Sequence, residues 1–152
     1  MVTTSWPSPR PLYKGTLARS PSTKGDDKLL FDFEKFSNLA GAVYRNCDVP
    51  YSLQDVLMVS RCYFGSYERC MEHPHPPIKA TQIRRIIQEM PWICPEDKGS
   101  RFADIDPECY TDIIHQHFNT RYRNCDYNIN HFFSGKVREL RYFELLRKDD
   151  EN

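Results

Sequence analysis

The chain has 152 residues and a mass of 18.0 kDa, room for one domain with a respectable core, and its 21 basic residues balance 21 acidic ones. A neutral total nominates neither an acidic nor a basic partner, while nine Tyr, nine Phe and two Trp are too many aromatics for a wholly disordered chain. No stretch approaches the ~18 apolar residues of a membrane span and none near the start resembles a signal peptide, which excludes membrane proteins, secreted disulfide scaffolds, collagens and repeat arrays and predicts a cytoplasmic protein.

Residues 1–28 carry four of the eleven prolines (Pro7, Pro9, Pro11, Pro21) and a charge of +3, from Arg10, Lys14, Arg19, Lys24 and Lys28 against Asp26 and Asp27. So polar a segment buries too little to offset chain entropy, and it reads as a flexible basic arm. A single helical domain is expected over 29–148. Phe36, Leu39, Ala40 and Val43 follow helical spacing and predict a first helix. Ser52 with Asp55 starts a second. There Val56, Leu57, Ser60, Tyr63, Phe64, Tyr67, Cys70 and Met71 keep one face for about five turns. It should be the central helix.

His73-Pro-His-Pro-Pro77 stops that helix, because proline lacks an amide donor and constrains its predecessor. A shorter helix follows, with Ile83, Ile86, Ile87 and Met90 inside and Gln82, Arg84, Arg85, Gln88 and Glu89 outside, ending at Pro91. Trp92–Cys94 and Arg101–Ile105, around a Gly-containing turn, predict a small β-hairpin. Asp106-Pro107 predicts another helix, with Asp at its cap and Tyr110, Ile113, Ile114 and Phe118 buried, His117 at the core boundary. A last helical pair occupies 127–148, broken at Ser134-Gly135, and 149–152 form a disordered acidic tail. Tyr-Arg-Asn-Cys-Asp occurs at 44–48 and again at 122–126, with unmatched flanks.

Six Cys, at 47, 62, 70, 94, 109 and 125, read as free thiols in a reducing compartment, with Cys62, Cys70 and Cys109 on apolar helix faces. Cys70-x-x-His73-x-His75 offers three zinc-type ligands, but no Cys-x-x-Cys pair accompanies it. The flanking prolines make an exposed extended linker the simpler account, so no metal is assigned. There is no Gly-rich phosphate loop, nucleophile elbow or zincin pattern. No catalytic residue or cofactor is assigned, and the chain is read as a non-enzyme.

Charge is unevenly spread. Residues 93–117 carry −4 and residues 118–148 carry +4. At ~100° per residue Arg138, Arg141 and Lys148 share one face of the last helix, opposite Leu140, Tyr142, Phe143 and Leu146. A basic stripe backed by an apolar one suits phosphate contact. Two helices, a turn and a hairpin resemble a winged helix, which makes Lys79, Gln82, Arg84, Arg85 and Gln88 candidate groove contacts. Val137–Glu144 resembles the Arg-x-x-Leu-Arg-Tyr-aromatic-Glu string of the mercury-resistance-type regulators, themselves winged-helix proteins. That likeness covers only those residues, no effector-binding helix follows them, and membership is not drawn from it.

The expectation is therefore a mainly α domain of five or six helices around Phe36, Leu57, Phe64, Ile87, Ile114, Phe118 and Phe143, with one hairpin. Its function is expected to be non-covalent DNA binding through Lys79, Gln82, Arg84, Arg85, Arg138, Arg141 and Lys148, with Arg138 and Arg141 dispensable for stability. The alternative is a helical protein-interaction module or small subunit, with a protein partner or a second copy of itself; 20 aromatics, nine Tyr, nine Phe and two Trp, favour it.

Overall fold

The computed structural model describes residues 29–93, 106–122, 125–133 and 137–151, in which the chain forms six helices and no sheet. The arm expected over 1–28 lies outside them. Asp32 accepts a hydrogen bond from the Lys35 amide and caps α1 (Phe33–Tyr44), which buries Phe36 and Ala40. Ahead of it, Glu68 accepts from the amides of Leu30 (2.9 Å) and Phe31 (2.6 Å) and ties the start of the domain to the second helix.

That helix, α2 (Leu53–Met71), begins with the expected capping box: Ser52 accepts from the Asp55 amide and Asp55 accepts from the Ser52 amide. It closes through Glu72 at φ 66°, a left-handed residue that turns the chain before the prolines. Next come α3 (Ala80–Glu89), α4 (Cys109–Asn119), the single turn α5 (Ile129–Phe132) and α6 (Val137–Glu151). α2 packs on α4, α1 on α3 and α2, and α6 on α4 and α5.

Several expectations change. α4 starts at Cys109, so Asp106 and Pro107 form a turn ahead of it and Asp106 is not its cap. Cys109 is consequently exposed, whereas Cys62 and Cys70 are half-buried; the five described cysteines are free thiols. α6 continues to Glu151, past the helix end expected at 148. The hairpin expected over 92–105 lies, apart from Trp92 and Ile93, outside the described residues. With no sheet among the described residues, nothing supports a winged-helix fold. The Ser134-Gly135 break also lies outside them.

The core is aromatic. Phe31 stacks on Phe64 at 4.0 Å, and Phe36 meets Phe64 edge-on at 5.0 Å. Tyr63, Phe64, Ile87, Ile114, Phe118 and Phe132 have no exposed surface, and fully burying each is worth about 1.5–3 kcal/mol or more. Leu57 packs against this cluster from its edge, but Phe143 is not part of it.

Tyrosine hydroxyls satisfy carbonyls where helices end. Tyr44 donates to the Tyr51 carbonyl, Tyr110 to Met90, Tyr63 to Tyr127 and Tyr127 to Thr120, all at 2.6–2.7 Å. The two Tyr-Arg-Asn-Cys-Asp strings begin differently, and Arg123 and Asn124 of the second lie outside the described residues. Tyr44 is the last residue of α1, whereas Tyr122 lies beyond the end of α4 and its hydroxyl donates to Glu144.

Candidate functional site

The seven residues expected to meet nucleic acid divide into two groups. Lys79, Arg84 and Arg85 are exposed on or beside α3. Gln82 is half-buried, and its side-chain oxygen accepts from the Lys79 amide at 2.9 Å, closing the first turn. Arg85, 63% exposed, sits 3.6 Å from Glu89 one turn on. Thr81, Gln82, Arg85 and Ile86 form one wall of a cleft of about 310 Å³, and Asn130 and Phe133 form the other.

The second group is placed opposite to expectation. Arg138 has no exposed surface, and the Arg141 side chain is 7% exposed. Arg138 donates to the Phe133 carbonyl at 2.9 Å, reaches Glu89 at 3.4 Å, and holds its guanidinium 5.4 Å from the Phe133 ring centre. Arg141 Nε donates to His117 Nδ1 at 3.0 Å, and its guanidinium lies 3.4 Å from the Tyr122 ring centre. Both arginines face protein, so neither forms an exposed phosphate-contacting stripe. Lys148 is exposed but turned back, its Nζ donating to Gln116 Oε1 at 2.7 Å.

Around Arg141 the polar groups form one connected set. Glu144 Oε1 accepts from the Tyr122 hydroxyl at 2.6 Å and from Gln116 Nε2 at 3.1 Å. His117 is not at the core boundary but fully buried, ringed by Tyr127, Phe132 and Phe118 at 4.8–5.2 Å. Since its Nδ1 accepts from Arg141, its proton sits on Nε2, which has no hydrogen-bond partner. Burial first, then the charges of Arg141 and His131, pushes the imidazole down to about 2.

No protein-family model, curated protein or solved structure matches this chain. What its sites do must therefore be read from their own chemistry.

The His-Pro-His linker is exposed at His73, Pro74, Pro76 and Pro77, as expected, but not at His75. His75 is 3% exposed and lies among Phe31, Phe64 and Tyr67. Its Nδ1 donates to the Pro76 carbonyl at 2.8 Å, and its Nε2 accepts from the Ile129 amide at 3.0 Å. Both ring nitrogens are thus spent on backbone, and burial lowers the ring's basicity despite the Pro76 contact. Among the described residues no three His, Cys, Asp or Glu groups converge on a possible metal. No described helix is long and apolar enough to cross a membrane.

With its arginines inward, α6 leaves Leu140 exposed and Phe143 and Leu146 half-buried. Val137, Tyr142 and Leu145 pack on the core, but Leu140, 54% exposed, Phe143 and Leu146 are not among the residues that do. Helical spacing puts Phe143 on the side opposite Arg138 and Arg141, with Leu140 and Leu146 flanking it. Of the two stripes expected on this helix, Lys148 is outside and Tyr142 packs on the core as expected, whereas Arg138 and Arg141 are buried and Leu140 is exposed. The one sequence clue was that Arg138 and Arg141 share their face with Leu145, a core-type residue.

Proposed function

We propose that this is a non-catalytic helical protein-interaction module that offers the outer face of α6 to a protein partner. The observation that supports the reading is the burial of Arg138 and Arg141 on a helix that leaves Leu140 in water. Burying two guanidiniums carries a desolvation cost of several kcal/mol each, met here by designated partners. Leaving Leu140 in water forgoes about 1.5–3 kcal/mol. A helix whose only task was to close this domain would place these residues the other way round. Coverage by a partner recovers the apolar term, and interfaces are rich in Tyr, Phe and Arg.

The test places a photo-reactive benzoyl-phenylalanine at position 140 of the full chain and irradiates it in native cell extract. The expected result is one discrete protein adduct, missing when the same group replaces exposed Glu34 on α1. No adduct at position 140 overturns the reading.

Nucleic-acid binding is the second reading, and the exposed cations Lys79, Arg84 and Arg85 favour it. It rests on α3 alone, because Arg138 and Arg141 of α6 are buried and the expected hairpin lies mostly outside the described residues. Fluorescence anisotropy with a labelled random duplex separates the two. The module reading expects no association at about 50 mM salt. Binding that falls with log salt by about 0.9 per phosphate contact, and weakens in Arg84→Ala, replaces it with the nucleic-acid reading.

A further inference from the structure

We infer that the partner of the outer α6 face is a second copy of this chain, docked as an antiparallel helix pair about a two-fold axis through Phe143. The inference rests on the interaction-module reading and adds the identity of the partner. Glu139, Phe143 and Arg147 form one i, i+4 row of α6 with Leu140 and Leu146 on either side; Leu140 and Arg147 are exposed, Glu139, Phe143 and Leu146 are half-buried, and the Phe143 ring also lies against Tyr142. Among the described residues neither Glu139 nor Arg147 has an ion-pair or hydrogen-bond partner, although each is flanked by side chains that do.

A two-fold axis through Phe143 sets every residue opposite the one equally far along in the other direction. Glu139 then meets the second copy's Arg147, Leu140 meets Leu146, and Phe143 meets itself. The symmetry makes each contact twice, so two unpaired charges per chain become two salt bridges per dimer, at the ends of an apolar centre. From Glu139 to Arg147 the row is about 12 Å long at ~1.5 Å per residue. A parallel pair would instead set Glu139 against Glu139 and Arg147 against Arg147. The charge order along the helix therefore selects both the partner and its direction.

A five-residue face of this kind covers less than a standard stable interface. The dimer is accordingly weak, with a dissociation constant on the order of tens of micromolar.

Sedimentation equilibrium of the full chain across about 5–300 µM tests this. The expected weight-average mass rises from 18.0 kDa towards twice that value. Glu139→Arg and Arg147→Glu each replace two attractive pairs by two repulsive ones and weaken association about five- to tenfold. The double exchange Glu139→Arg with Arg147→Glu brings it back to within about threefold of the parent. Arg147 is exposed and Glu139 half-buried, and circular dichroism should show the same helix content as the parent in all three variants. A chain that stays monomeric at the highest concentration overturns the inference, as does a dimer indifferent to both single exchanges or not rescued by the double one. The position-140 adduct tells this failure from failure of the module reading. An adduct of another mass keeps the module and removes the second copy, and no adduct removes both.

Discussion

His117 lies inside the domain as a neutral base with an arginine against it. A proton on the imidazole would face Arg141 from α6 and His131 from α5, inside a cage of Tyr63, Phe118, Tyr122, Tyr127 and Phe132 rings. Glu144, the nearest carboxylate of this network, already accepts from Tyr122 and Gln116. The folded protein therefore resists that proton until about pH 2, whereas the unfolded chain takes it up near 6.5. Between those values the unfolded state binds more protons, so stability is fully present above 6.5 and is lost as the pH falls, by up to about 1.4 kcal/mol per pH unit for one such group. Buried His75, also shifted down, acts in the same direction. Urea denaturation should give a lower midpoint at pH 5 than at pH 7, and His117→Gln should reduce the difference; an unchanged difference would assign it to other groups. A second prediction at this scale concerns Tyr127, held at φ 58° with its hydroxyl donating to Thr120 O and accepting from the Tyr122 amide. Tyr127→Phe keeps the ring but removes both bonds, and the domain should lose about 1–2 kcal/mol in the same assay. The sequence placed His117 at the core boundary, beside the buried stripe of Ile113, Ile114 and Phe118, and the structure buries it fully. Its depth depended on Arg141, which is 24 residues away and adjacent only after folding.

At the scale of elements, spacing was a good guide to where helices form and a poor one to which side of α6 faces in. α2 was legible from its cap to its last turn because its apolar face and its capping box agree. In α6 the repeating pattern defines two faces, and the ordinary preference for charges outside selects the wrong one. The inner face is chosen instead by partners on other elements: Glu89 on α3, the Phe133 carbonyl after α5, and His117 on α4. This choice reverses the expected outcome of mutating these arginines. Arg138→Ala, expected from the sequence to leave stability unchanged, should cost about 3 kcal/mol by leaving a cavity and an unpaired carbonyl. Arg138→Met, which fills the space without the charge, should cost clearly less. Thermal melts of the two variants give the comparison, and equal, small losses would place Arg138 in solvent.

Across the whole molecule, distant segments are joined by single polar ties embedded in an aromatic core. Tyr63 reaches the Tyr127 carbonyl over 64 residues of sequence, and His75 takes the Ile129 amide over 54. His75 is thus a buried strut that ties the linker after α2 to the start of α5. His75→Ala should lower stability by about 2–3 kcal/mol, through a lost ring and an orphaned amide, as measured by the urea midpoint. None of these ties was legible beforehand. Each has a backbone group as one partner, which composition and periodicity do not distinguish.

The docking of α6 through arginine and hydrogen bonds also divides the domain by how it opens. Helices α2 and α4 meet through rings and aliphatic groups, so their amides should exchange with deuterium only when the whole chain unfolds. α6 is held by polar contacts beside the apolar ones of Val137, Tyr142 and Leu145, and its amides should exchange earlier, through a local opening. Because that opening gives His117 room to accept a proton, mild acid should speed exchange in α6 before it changes exchange in α2. The last helix would then behave as a separately releasable unit of an otherwise cooperative fold.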